Sequence, residues 1–264
     1  MRRRLVVLWL LAALAAPLLA PQSYRAQDRA AVLAAPHWGA APPAATTHRL
    51  GTDEFGRDVW SRLLVATSLS SMLGLAMALP ALALAVLVGL GAALAPRFSP
   101  LARCGGEICR SLPWIFVLVA VRAALPLNAS AGAIAAALVI LFTTAAWPLA
   151  AWTIEAAARD LLQREFIEAA VLLGAGRWHL LRRHLWPNLR PLVATYFALL
   201  VAAAISAEVS LELVGLGLPQ PLPTWGNMLA PLKDYTVATR CWWLYAPLLA
   251  LVPVLMLLSW NVDT

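Results

Sequence analysis

Residues 70–95 read SSMLGLAMALPALALAVLVGLGAALA. The stretch carries no charge and no apolar–polar alternation, and it exceeds the roughly 20 residues that a helix needs to cross a bilayer core of about 30 Å. Lipid offers no partner to a backbone N–H or C=O, so such a run predicts a spanning helix rather than a barrel strand. Working outward, similar apolar runs lie at 5–20, 108–125, 131–154, 192–213 and 242–260. The expectation is an all-α membrane protein with six transmembrane helices. Pro80, Pro148, Pro247 and Pro253 fall inside these runs, where neighbouring helices and waters can satisfy the carbonyls they free.

Composition agrees. The 264 residues are 62% hydrophobic and 12% charged, against about 25% charged in ordinary soluble domains. One compact core cannot hide that much apolar surface. The net charge of +7 does not form the single basic face that nucleic acid requires. Instead the arginines mark topology. Arg2, Arg3 and Arg4 precede the first run; Arg97, Arg103 and Arg110 separate the second and third; Arg159, Arg164, Arg177, Arg182, Arg183 and Arg190 separate the fourth and fifth. By the positive-inside rule these segments, and both termini, are expected in the cytoplasm. Met1 and its three arginines also resemble a secretory leader, but the apolar run is long for one, and an uncleaved first helix fits the topology better. Cys104, Cys109 and Cys241 show neither a disulfide framework nor metal-ligand spacing.

The expected organisation is therefore a first helix over 1–21, an outer segment over 22–69 and a core over 70–264 with five spans and a cytoplasmic loop at 155–191. Two extramembrane stretches carry information. In the first, Asp53, Glu54, Arg57 and Asp58 crowd around Gly51 and Gly56, and Val59, Leu63 and Leu64 then share a helical stripe opposite Arg57, Ser61 and Arg62. This predicts a tight turn leading into a short amphipathic helix at the interface, or simply a solvated entry to the second span. In the second, a polar helix over 165–173 meets Gly174-Ala175-Gly176, and a second short helix over 177–185 is expected to end at Pro187. Phe166, Ala169, Ala170 and Leu173 make an apolar ridge on the first helix of this knob. It suits docking into a groove of a soluble partner, or packing on the chain's own helices.

Both stretches resemble one family. Glu168-Ala169-Ala170, then Gly174, then Leu185-Trp186-Pro187-Asn188 resembles the cytoplasmic signature of permease subunits in binding-protein-dependent ABC importers. The stretch from His48 to Leu64, with Gly51, Thr52, Asp53, Gly56, Arg57 and Asp58 at its centre, is similar to the segment before the second span in the second permease of dipeptide, oligopeptide and nickel importers. Ala207-Glu208-Val209-Ser210-Leu211 and Pro223-Thr224-Trp225-Gly226-Asn227 resemble the same subunit further on. The sequence departs from the pattern at Trp152 and Glu155, where the family commonly has arginines, which weakens the expectation of charge pairing at the cytoplasmic side.

The resemblance implies the type I importer permease fold and a channel-forming role in import of short peptides or a similar solute, such as a nickel chelate. The implied partners are a homologous second permease, two ATP-binding subunits and a periplasmic or lipid-anchored solute-binding protein. Glu168, Ala169, Ala170, Gly174 and Pro187 would couple the chain to the ATPase. No cofactor is expected on this chain: it has no phosphate-cradling Gly-rich loop with Lys, so ATP and Mg would be used by the partner. No catalytic or metal-binding residue is expected either.

Glu208 is costly inside a span and is a candidate for the translocation path, or a side chain paired near the outer interface; Glu212 reads better as the latter. Trp9, Trp60, Trp114, Trp147, Trp225, Trp242, Trp243 and Trp260 lie near predicted span ends and read as interface anchors. His179 and His184 flank Arg182 and Arg183 and read as a solvated or headgroup-facing surface. Two other classes compete. An intramembrane enzyme would need a nucleophile–base pair or a metal site, and an ion-coupled carrier would show internal repeats and more buried carboxylates. Neither pattern is evident.

Overall fold

The computed structural model describes residues 2–36, 48–124, 126 and 129–260. Pro42, Pro43 and the tail 261–264 lie outside the described residues. No strand longer than a single bridge occurs among the described residues.

The helices in chain order are α1 (Arg2–Ala15), α2 (Val59–Leu94), α3 (Ser99–Ser111), α4 (Trp114–Ala124), α5 (Ala131–Leu162), α6 (Glu165–Leu172), α7 (Arg177–Leu180), α8 (Trp186–Leu213), α9 (Trp225–Leu229), α10 (Tyr235–Arg240) and α11 (Ala246–Ser259). Four helical segments among the described residues are long and apolar enough to cross a membrane: Val59–Leu94, Ala131–Leu162, Arg177–Leu213 and Trp242–Ser259. The remaining two predicted spans are built of shorter pieces. The first is α1 followed by a 3₁₀ turn over Ala16–Leu19.

The third is broken. Leu112 adopts an extended conformation with ψ 128°, as a residue before proline is pressed to do, and Pro113 separates polar α3 from the apolar 11-residue α4. The indole of Trp114 donates to the Cys109 carbonyl at 2.8 Å across the break, satisfying an acceptor that the end of α3 leaves open. Elsewhere proline does not interrupt: Pro80, Pro148, Pro191 and Pro253 sit inside α2, α5, α8 and α11.

Pro187 was expected to end the second knob helix. The chain instead passes from α7 through a π turn over Leu181–Leu185 straight into α8. The Trp186 amide reaches back to the Leu181 carbonyl. This wider turn loosens the i→i−4 register immediately before the ring of Pro187, where a regular helix would clash.

The described chain divides into two compact units, 1–75 with 127–135 and 202–264, and 76–126 with 136–201. In the first, α1 packs on α11 and α11 on α9. In the second, Leu90 and Ala93 of α2, Ile154 and Ala158 of α5, Leu185, and Leu189 of α8 form a closed apolar cluster. Gly89 lies so close to α5 that a Cβ there would meet the Ala151 carbonyl oxygen at 2.6 Å. The anchoring role expected of the tryptophans fails for Trp147, Trp225 and Trp243, which are buried within their units.

Candidate functional site

Two constructions stand out, one in each unit. In the first unit the stretch 48–62 folds into a polar knot. Gly51 and Gly56 have φ of +69° and +70°, values at which a side chain is strained. A Cβ on Gly56 would also clash with the Asp28 carbonyl oxygen. Thr52, just after Gly51, pairs with Asp58, just beyond Gly56, in an antiparallel bridge. Asp53 closes the turn by accepting from the amides of Phe55 and Arg57, both at 2.9 Å. Its second oxygen lies 2.7 Å from Arg57 Nε and 3.5 Å from Arg62 Nε. Asp58 caps α2, accepting from the Ser61 amide at 2.8 Å and its hydroxyl at 2.7 Å, while its other oxygen meets His48 Nδ1 at 3.1 Å.

This knot gathers distant chain. Arg57 donates to Gln220 Oε1 at 2.8 Å. Arg62 donates to the carbonyls of Pro221 at 3.2 Å and Tyr24 at 3.3 Å. Trp243 Nε1 donates to the Thr52 carbonyl at 3.0 Å. The Thr52 hydroxyl bonds the Ala31 carbonyl, and the amides of Asp28 and Leu33 bond the carbonyls of Gly56 and Asp53.

The tight turn and the helix running into the second span are present, but the expected polarity of that helix, an apolar stripe opposite Arg57, Ser61 and Arg62 at the interface, is corrected. Helix α2 runs unbroken from Val59, and those three polar side chains are buried, Arg62 to 1% exposure, while Leu63 and Leu64 are only partly so. A guanidinium can be taken from water when a carboxylate and carbonyls replace its hydration; here the carboxylate, Asp53, is local, but the oxygens of Tyr24, Gln220 and Pro221 come from positions that no local pattern reveals.

Glu208, in the same unit, is also 1% exposed. Its Oε2 accepts from the Ser70 hydroxyl at 3.4 Å, and Ser70 Oγ in turn accepts from the Trp225 amide at 3.0 Å. Its Oε1 has no hydrogen-bond partner among the described residues. Helix α9 is fixed by a capping box in which Thr224 and Asn227 exchange hydrogen bonds. Glu212 packs against Gly217 and Gly226, where added Cβ atoms would strike its side chain.

In the second unit, α6 and the turn after it form the predicted knob. Glu165 and Glu168 occupy the first turn of α6, where negative charge complements the helix dipole. Gly174 takes φ +87° with open space around it, and the Ala175 amide closes the end of α6 on the Ala170 carbonyl at 3.0 Å. Ile167, Leu180 and Leu185 point inward. The ridge is left largely uncovered: Phe166, Ala169 and Leu173 are exposed and Ala170 half-buried, and the tip residues Leu172 and Leu173 stand 87% and 89% exposed. Phe166, Ala169, Ala170 and Leu173 line an open depression with Gly174, His179 and His184. The His184 ring lies 6.0 Å from Phe166 and 5.9 Å from His179. Pro187 is exposed on α8 below the knob. At its base Asp160 accepts a 2.8 Å hydrogen bond from Arg164, which holds that guanidinium still more firmly protonated.

Glu155 is the residue whose importance sequence reasoning missed. Its buried carboxylate accepts from the Ser99 hydroxyl at 2.6 Å and lies 2.8 Å from Arg159 Nη2 and 3.9 Å from Arg103 Nε. Charge pairing is present after all, with the carboxylate on α5. Arg159, four residues on, was a visible i,i+4 partner; Ser99 and Arg103 had no sequence signal.

A helical chain with several bilayer-length apolar helices is a multi-pass membrane protein. Residues 60–263 match the family described as binding-protein-dependent transport system inner membrane component, and the chain belongs to it. Its type I permease fold and inner-membrane location follow. The chain is similar to a protein of Brucella suis named as a peptide transport system permease, 33% identical over 203 residues, covering 76% of this chain and 66% of the relative. It is also similar to the di/tripeptide transport system permease protein DppC of Pseudomonas aeruginosa, 34% identical over 232 residues, covering 88% of this chain and 73% of that one. The chain thus spans about two thirds of the length of the Brucella relative.

Proposed function

We propose that this chain is one of two channel-forming permeases in an ATP-driven importer, and that its cargo is a short peptide or a similarly handled solute. The family and the names of its relatives support the class. The observation that carries the mechanism is the knob, whose apolar tip at Leu172 and Leu173 stands in water beside the small residues Ala169 and Gly174. An apolar ridge held by a buried base suits insertion into a groove of a soluble subunit.

In this mechanism a homologous permease completes the path, and two ATPases with ATP and Mg sit on the cytoplasmic knobs. A solute-binding protein delivers cargo on the other side. ATPase closure rotates the docked knobs as rigid bodies and opens the path outward, and hydrolysis reverses it. The small side chain of Ala169 lets α6 lie close to the partner; Gly174 turns the chain; Glu168 bridges nearby donors; Pro187 lies where the knob rejoins α8. The polar knot at Gly51–Asp58 braces the outer end of α2.

The test is to purify the chain with its co-encoded subunits, with and without Ala169→Trp. The expected result is co-isolation of a second permease and an ATPase with the unaltered chain, peptide-stimulated ATP hydrolysis in proteoliposomes, and loss of that stimulation in an Ala169→Trp chain that still inserts. A single chain that transports without an ATPase would overturn the proposal in favour of a carrier, and unchanged coupling in Ala169→Trp would overturn the role of the knob.

A further inference from the structure

The structure assigns to Glu155 a positioning role: we propose that it clamps α3 to the base of the knob, so that displacement of the knob is passed to α3. The inference rests on the docking role proposed for the knob.

The base of the knob is one mechanical piece. Helix α5 ends at Leu162 and α6 begins at Glu165, and the junction is a two-residue turn, with the amides of Gln163 and Arg164 bonded to the carbonyls of Asp160 and Leu161 before Arg164 turns extended to start α6. On the return side, Leu185 and Leu189 close on Ile154 and Ala158 of α5 and on Leu90 and Ala93 of α2. Whatever moves α6 therefore moves the end of α5.

Helix α3 is held to that piece differently. Phe98, Leu101 and Ile108 are exposed, so they contribute little to its fixation within this unit. Its polar attachment to α5 is Glu155; its apolar ones are Trp152 and Pro148 at Gly106, and Cys109 against the cluster of Trp147, Ala150 and Ala151. Glu155 takes Ser99 and Arg103 of α3 on its two oxygens while Arg159, one turn along α5, shares the first oxygen. Arg159 also donates to the Ala92 carbonyl at 3.3 Å, which adds the end of α2 to the cluster. Trp152 presses on Gly106, where a Cβ would come within 2.8 Å of the ring, and the Arg110 guanidinium sits over the same ring at 5.4 Å. Glu155 is 1% exposed, so solvent and salt screen its contacts poorly. A flat indole face permits sliding; a buried carboxylate that takes a 2.6 Å hydrogen bond from Ser99, with the Arg103 guanidinium 3.9 Å from its other oxygen, fixes a register.

The test uses the assembled importer with Glu155→Gln, which keeps the shape and loses the charge, and with Ser99→Glu/Glu155→Gln, which returns a carboxylate to the cluster from the α3 side. The expected result is normal assembly and basal ATP hydrolysis in Glu155→Gln, at least tenfold loss of peptide-stimulated hydrolysis and uptake, and substantial recovery in the double variant. A second measurement stands apart from the importer reading: hydrogen–deuterium exchange of the purified chain should show α3 amides at least tenfold less protected in Glu155→Gln, with α9 amides unchanged. Wild-type stimulation in Glu155→Gln would overturn the clamp, as would failed assembly that the double variant does not repair, or unchanged α3 exchange. If the chain never associates with an ATPase the importer reading fails, and the exchange experiment still decides whether Glu155 holds α3.

Discussion

Replacing Asp53 by asparagine removes one charge from the outer knot and changes almost nothing in shape. The carbonyl of the new side-chain amide could still accept from the backbone amides of Phe55 and Arg57, but its NH₂ group would face Arg57 Nε, now 2.7 Å from the carboxylate, donor against donor. Arg57 and Arg62 are buried to 4% and 1% exposure, and their remaining partners are the neutral oxygens of Gln220, Pro221, Tyr24 and Asn227. Removing one member of a buried ion pair costs about 3–5 kcal/mol, roughly two to three and a half powers of ten in a local opening equilibrium. The cost should fall on the segment that the knot ties down, where the amides of Asp28, Leu33 and Thr52 bond the carbonyls of Gly56, Asp53 and Ala34. Hydrogen exchange at those three amides should accelerate by about a hundredfold or more, with little change at the tip of the knob. Acceleration of less than about threefold would refute the claim that Asp53 neutralises two buried guanidiniums.

Gly56→Ala should destabilise the purified chain by about 2–5 kcal/mol, since both a left-handed φ and a backbone clash oppose it, whereas Gly174→Ala, with the same kind of φ and open space, should cost only about 1–2 kcal/mol; thermal unfolding in detergent compares the two. Trp243→Phe strands the Thr52 carbonyl and should cost about 1–3 kcal/mol by the same measurement. Thr224→Ala removes a cap from α9 and should cost about 1 kcal/mol, and because Ser70 holds both Trp225 and Glu208, exchange at the Trp225 amide should rise as well. Leu172→Gln with Leu173→Gln should leave stability within about 0.5 kcal/mol and abolish co-purification of the ATPase; retained binding would contradict docking through the tip.

The apolar runs made the spans legible because lipid imposes a length and permits only helix. What stayed hidden depended on contacts far along the chain. Arg57 and Arg62 looked like a solvated face because Gln220 and Pro221 cannot be paired with them from spacing. Pro113 follows Arg110 and Ser111 at the head of an apolar stretch, and hydropathy gives no sign that Leu112 turns extended, while Pro187 looked like a terminator and is absorbed by a π turn. The turn of the knob was legible in Gly174-Ala175-Gly176 between two short helical stretches, and Gly174 takes the left-handed φ of +87° that such a turn asks for, while the exposure of Ala169 could not be told from spacing. Glu155 was noticed only as a departure, since its value lies in Ser99 and Arg103, which spacing alone cannot pair with it.

The π turn at Leu181–Leu185 has a further consequence for how α8 is read. Each such turn inserts one residue into a helix that advances about 100° per residue, so the angular phase of the chain is offset between the segment 177–180 and everything after Trp186. A helical wheel drawn through the whole of Arg177–Leu213 would therefore put His179 and Arg183 on one set of faces and the membrane residues on another that does not exist in space. The faces of this span have to be counted afresh from Trp186, and with Leu185 and Leu189 fixed against α2 and α5, deletion of a single residue between 181 and 184 would turn the segment 177–180, and His179 with it, to another side of the knob.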